Sequence, residues 1–130
     1  MPNSLAKMVG FGVAVSAAGA IAGDTAVGLT ALGSTQGTAL AFSANYTLFT
    51  TVAVGTGAIL PAIANVPGLG VVQGDDFIVF NNGANALIVY PPVGSQIALG
   101  ATNAGQSIPS GKSCFFIMLS NTVWGYNLSA

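Results

Sequence analysis

The chain has 130 residues, of which 52% are hydrophobic and only 4% charged, namely Lys7, Asp24, Asp75, Asp76 and Lys112, with no His, Arg or Glu. Soluble domains carry roughly a quarter of their residues as charges. This composition therefore excludes a phosphate-neutralising basic surface or electrostatic docking on anionic membranes, and it removes most of the side chains that perform acid–base or nucleophilic chemistry. A net charge of −1 with a mean hydropathy of +0.75 reads as a single-domain structural subunit that lives against other subunits, because oligomerisation hides apolar area that so few charges cannot solvate.

Residues 1–23 imitate a secretory signal, with Lys7 as the basic start, Met8 to Ala22 as the apolar stretch and Ala20-Ile21-Ala22 as a small-x-small site. Gly10, Gly12 and Gly19 weaken any helix there. The 16 uncharged residues from Met8 to Gly23 also fall short of the ~20 needed to cross a bilayer. The expectation is an apolar N-terminal arm, carried with the first strand or strands in residues 1–37 and followed by a β domain over 38–130. Phe11, Val13 and Val15 recur at period two, which suits an extended segment laid against the protein's own sheet or against a neighbouring subunit. These three are candidate partner contacts. A mature chain beginning at Gly23 would instead mark a secreted or surface-layer subunit.

Beyond the arm, β signals follow one another. Thr38 to Phe42 alternates, and Tyr46 to Val54 is dense in β-branched and aromatic residues. Gly55-Thr56-Gly57 turns the chain into Ala58-Ile59-Leu60, which Pro61 ends. Asn65-Val66-Pro67-Gly68 has the composition of a type II turn. Asp76-Phe77-Ile78-Val79-Phe80 is a continuous apolar run, the pattern of a strand covered on both faces. Asn81-Asn82-Gly83-Ala84-Asn85 is expected to form a hairpin loop, returning Ala86 to Tyr90 as the partner strand before Pro91-Pro92. Gln96 to Leu99, Ser113 to Leu119 and Val123 to Leu128 read as the remaining strands. Short strands with turn signals between them, and no lasting helical period, predict an all-β fold, an antiparallel β-sandwich or jelly roll.

Chemistry has few places to reside. Without His, a Ser or Cys nucleophile lacks its usual base, and Asp75 and Asp76 are adjacent, so on a strand their side chains point to opposite faces. No enzyme, cofactor or metal site is expected; Gly74-Asp75-Asp76 reads as a turn before a strand. Cys114 sits in an apolar run and reads as a buried structural thiol. Trp124 and Tyr126, at i and i+2, share a strand face. They are further candidate contacts, either with a partner subunit or stacked on a sugar.

The stretch Gly74 to Gly94, with its Asn81-Asn82-Gly83-Ala84-Asn85 loop and its Leu87-Ile88-Val89-Tyr90-Pro91-Pro92 strand, resembles small virion proteins of tailed bacteriophages. Ser107-Ile108-Pro109-Ser110-Gly111-Lys112 and a Trp near the end continue the likeness, which covers about residues 46–130. The resemblance implies a capsid decoration (cement) subunit or a tail-associated module, with no catalytic residues to carry over. It further implies location on the capsid surface of the virion. The partners would be the major capsid protein and copies of the chain itself, as a homotrimer or alternatively a dimer, with no nucleic acid and no membrane. The rival expectation is a tail-fibre or receptor-recognition module that reads host glycans through Trp124 and Tyr126.

Overall fold

A computed structural model describes residues 25–62, 71 and 73–130. Phe11, Val13, Val15 and the Asn65 to Gly68 turn lie outside the described residues. Ten strands run β1 (Thr25–Thr30), β2 (Leu40–Ala41), β3 (Tyr46–Thr51), β4 (Gly57–Ile59), β5 (Asp76–Asn81), β6 (Leu87–Tyr90), β7 (Gln96–Ile97), β8 (Gln106–Ile108), β9 (Ser113–Met118) and β10 (Val123–Leu128). No helix occurs among the described residues. The all-β expectation therefore holds for this part of the chain.

The strands form two sheets, one of six strands in the order β1-β3-β5-β9-β10-β7 and one of four in the order β2-β4-β6-β8. Successive strands alternate between the sheets from β1 through β9, and only β9 and β10 are consecutive neighbours in one sheet. The sheets are mixed rather than antiparallel. β1, β3 and β5 run parallel, as do β2, β4 and β6 and the pair β7 and β10. Among the named strands, antiparallel pairing joins β5 with β9, β9 with β10 and β6 with β8, and an isolated antiparallel bridge links Leu32 to Gly57. The physical reason is the connection. A chain that crosses to the other sheet and reverses at each arch returns to the first sheet in its original direction, so β1 to β6 stack parallel within their sheets, whereas β8 and β9 run against β6 and β5 although the chain still alternates between sheets there.

This corrects the reading of residues 81–85 as a hairpin loop. β5 and β6 do not pair; they belong to opposite sheets, and the segment between them is an arch over the edge of the core. Its corner is Asn81, fully buried. Asn81 Nδ2 donates to the carbonyls of Asn85 and Ile108, each at 2.9 Å, and Oδ1 accepts the Gly83 N–H at 2.9 Å. Its backbone N–H donates to the Lys112 carbonyl (2.9 Å), and its carbonyl accepts from Gly111 N–H (2.7 Å). Every polar group of a buried residue is thus satisfied, the condition for burying an amide without a net cost.

The arch also rests on the one beneath it. Asn82 N–H donates to the Phe49 carbonyl and Asn85 Nδ2 to that of Val52, at 2.8 and 2.9 Å. Gly83 is required by this closeness, because a Cβ there would lie 2.5 Å from Val52 Cγ2. Gly57, at the start of β4, is under the same constraint, since a Cβ would collide with the Ile88 carbonyl of the neighbouring strand.

The inner faces of both sheets share one hydrophobic cluster. Phe49, Phe77, Val79, Phe116, Met118 and Trp124 come from the six-stranded sheet, and Ala58, Leu87, Val89 and Ile108 from the four-stranded one. Phe42 packs edge-on against Phe77 at 5.9 Å, and Phe77 lies 5.7 Å from Trp124. β1 closes one edge of the six-stranded sheet, with a register shift between Ala26 and Leu29 where Gly28 takes φ 70°. Such a bulge hinders another strand from adding to that edge.

Replacing Asn81 by Ala should leave two carbonyls and one N–H without partners in the core, a loss of about 3 kcal/mol or more. The isosteric Asn81→Asp should be at least as damaging, because it aims a carboxylate at two carbonyl oxygens. Urea unfolding curves of both variants check this; a shift below about 1 kcal/mol in each would show that the corner does not hold the fold.

Candidate interaction surface

Alternation along β3, β5 and β9 sends Phe49, Phe77, Val79, Cys114 and Phe116 into the core and the intervening residues outward. The outward set is also rich in apolar side chains, Leu48, Ile78, Phe80, Phe115 and Ile117, with Tyr46, Thr50, Asp76 and Ser113 among them. Register places Tyr46, Ile78, Phe115 and Asn127 in one row across four strands, and Leu48, Phe80 and Ser113 in the next. Phe80 is 44% exposed, and Ile78, Phe115 and Ile117 are half-buried. The sequence pattern of strands covered on both faces is therefore met on one face only by the described residues.

Phe80 stands as a ridge between two shallow grooves. One, of about 340 Å³, is lined by Thr25 to Val27 on β1, Tyr46 to Leu48 on β3 and Phe80 itself. The other, of about 480 Å³, is lined by Ile78, Phe80, Phe115, Leu128 and the chain from Ser129 to Ala130. Among the described residues, charge borders this face only at its ends. Asp76 sits at the start of β5, in the row of Ile117. Lys112 precedes β9 at the other end, where its Nζ reaches the Ala130 carbonyl. Burial, with a smaller contribution from the Asp76 charge, pushes the Tyr46 hydroxyl above its ordinary pKa, so it stays a neutral donor.

The aromatic pair chosen from the sequence is divided by the fold. Trp124 and Tyr126 do share the inner face of β10, but Trp124 is fully buried. It lies between Met118 of β9 and Ile97 of β7 in the sheet. It therefore contacts neither a sugar nor a partner at the surface. Its Nε1 is buried and finds no hydrogen-bond acceptor among the described residues. β7 covers β10 only at Val123 and Trp124, so Tyr126 emerges beyond its end, 40% exposed. Tyr126 lines a groove of about 320 Å³ with Ile97 to Gly100 and Ala104 to Gln106. Leu99 is fully exposed there, following Ala98, a non-glycine residue at φ 50°. Asn103, at φ 68°, braces this turn by accepting from Gly94 N–H at 2.7 Å.

The polar chemistry is sparse. No group of three or more His, Cys, Asp or Glu converges among the described residues, and no helix there is long and apolar enough to cross a membrane. The Asp75 carbonyl accepts from Met118 N–H, and Gly74 N–H donates to the Met118 carbonyl, so this turn ties β5 to β9 through the backbone. The outward residues Ile78, Phe80 and Phe115 were not singled out as contacts from the sequence. Their signal was the unbroken apolar run, which also describes a strand inside a larger protein.

Cys114 faces the core, and burial pushes its thiol up to about 11, against a small opposing effect of a backbone hydrogen bond from Asn127. The folded state therefore holds the thiol proton more tightly than the unfolded one does. The resulting stability is present below pH 9.0 and declines as pH rises from there toward about 11. A thiol-reactive dye should not label the native protein at neutral pH and should label it stoichiometrically in denaturant. Rapid labelling without denaturant would contradict the buried position. No family model, curated protein or solved structure matches this chain.

Proposed function

We propose that the chain is a structural virion protein, a capsid decoration subunit that binds and stabilises the outside of a bacteriophage head. The observation that carries this reading is the outward face of β3, β5 and β9, a largely apolar sheet surface exposing Phe80 and bordered, among the described residues, by charge only at its ends. The two sheets with their common core are read as a sandwich, assembled from stacked arches. The likeness of residues 46–130 to small phage virion proteins supports the same assignment. Its partners are the major capsid protein and copies of itself, and it carries out no catalysis.

Function here is adhesion. Covering ~1,000 Å² of mostly apolar surface contributes ~25 kcal/mol of gross transfer free energy, most of which association and ordering costs offset. Holding a shell together then depends on many copies engaging at once. Attachment through so few charges should be nearly independent of ionic strength, unlike attachment through ion pairs.

Deleting the gene from the phage that encodes it should yield heads that lose DNA at lower temperature, and adding back the purified protein should restore them. Particle imaging should place the protein on the head. Label confined to the tail tip, with heads of normal stability, would support a receptor-recognition module instead. A steep fall in head binding as salt is raised would contradict the apolar mechanism.

A further inference from the structure

We propose that the outward face of the six-stranded sheet is the interface of a two-fold homodimer, a second copy of this chain being its occupant. The proposal rests on the reading of the chain as a subunit that lives against other subunits, and it names the face and the symmetry.

Relief is the first argument. Phe80 stands between a groove bordered by Val27 and Leu48 and another bordered by Ile78 and Phe115. When two such faces meet, the ridge of each can seat against a groove of the other copy. A self-complementary surface of this kind is what an isologous contact requires. Charge is the second argument. Asp76 lies at one end of β5, and Lys112 lies at the opposite end of the β5–β9 pair, where Asn81 N–H bonds the Lys112 carbonyl. A two-fold axis running across the strands reverses one copy's strands relative to the other's, so Asp76 of each copy approaches the Lys112 end of its mate. A face-to-face pairing with strands aligned in one direction would instead set carboxylate near carboxylate. Size is the third. Five strands spaced about 4.8 Å apart and about 20 Å long present about 500 Å² in projection. Two copies together thus cover about 1,000 Å², the scale at which a specific interface begins to hold.

The test is sedimentation velocity of the full chain across low to high micromolar concentrations. The wild type should shift from monomer to dimer. Phe80→Asp should weaken dimerisation about a hundredfold by placing an unpaired carboxylate in the contact, with its circular dichroism spectrum unchanged. Asp76→Lys alone and Lys112→Asp alone should each self-associate less than the wild type, and a mixture of the two should form the heterodimer, in which both facing pairs are opposite in sign. A wild type that stays monomeric at every concentration, a folded Phe80→Asp protein that dimerises normally, or a mixture with no preference for the heterodimer would overturn the proposal. Should Phe80→Asp fail to fold, the mixing experiment decides alone. Head binding is measured separately, so a monomer that still decorates heads would sink the dimer and leave the decoration reading standing.

Discussion

The fold depends on one buried amide. Asn81 turns inward at the end of β5, where a hairpin would need the residue to lead back along the same sheet. Its side chain replaces, at a corner, the hydrogen bonds that a ladder supplies along a strand. It joins three otherwise distant pieces: its own arch at Gly83 and Asn85, the segment around Ile108, and β9 through Lys112. A buried polar group so fully satisfied is specific as well as stabilising, because any other register would strand several donors and acceptors in apolar surroundings.

The parallel stacking follows from that corner. Once β5 passes into β6 on the opposite sheet, β6 lies beside β4, and Gly57 must lack a side chain to let the two backbones approach. Val52 of the arch below meets Gly83 of the arch above. Each arch is seated on its predecessor, so the inner face of each sheet is continuous from layer to layer and the core needs no helix to cover it. β9 and β10 then close the six-stranded sheet with the single sequence-adjacent pairing among the described residues. The Leu119 and Ser120 N–H groups both reach the Val123 carbonyl at that turn.

The outward face shares much of the core's apolar character, in Leu48, Ile78, Phe80, Phe115 and Ile117. A sheet of this composition reaches its lowest free energy when both faces are dry, and the described part of one chain covers only one of them. The scarcity of charge fits that composition, since a largely apolar face carries few groups whose desolvation would oppose covering it. The two described charges bordering the face, Asp76 and Lys112, stand at its ends.

Most strand positions were legible in the sequence because they depend on local properties, the β-branched and aromatic runs and the Gly, Pro and Asn residues that stop them; β1 and β8 lack such a run and were not singled out. Composition likewise determined that chemistry is scarce and that the surface is apolar. Strand partners were not legible. Asn-Asn-Gly-Ala-Asn serves equally as a hairpin or an arch, and the choice rests on whether Asn81 finds the Ile108 carbonyl and Asn85 the Val52 carbonyl, both far away in the chain. The same holds for Trp124 and Tyr126. Period two put them on one face, but only the length of β7 decided that the first is sealed and the second emerges. Local spacing determines which way a side chain points, and the tertiary structure alone determines what, if anything, lies opposite it.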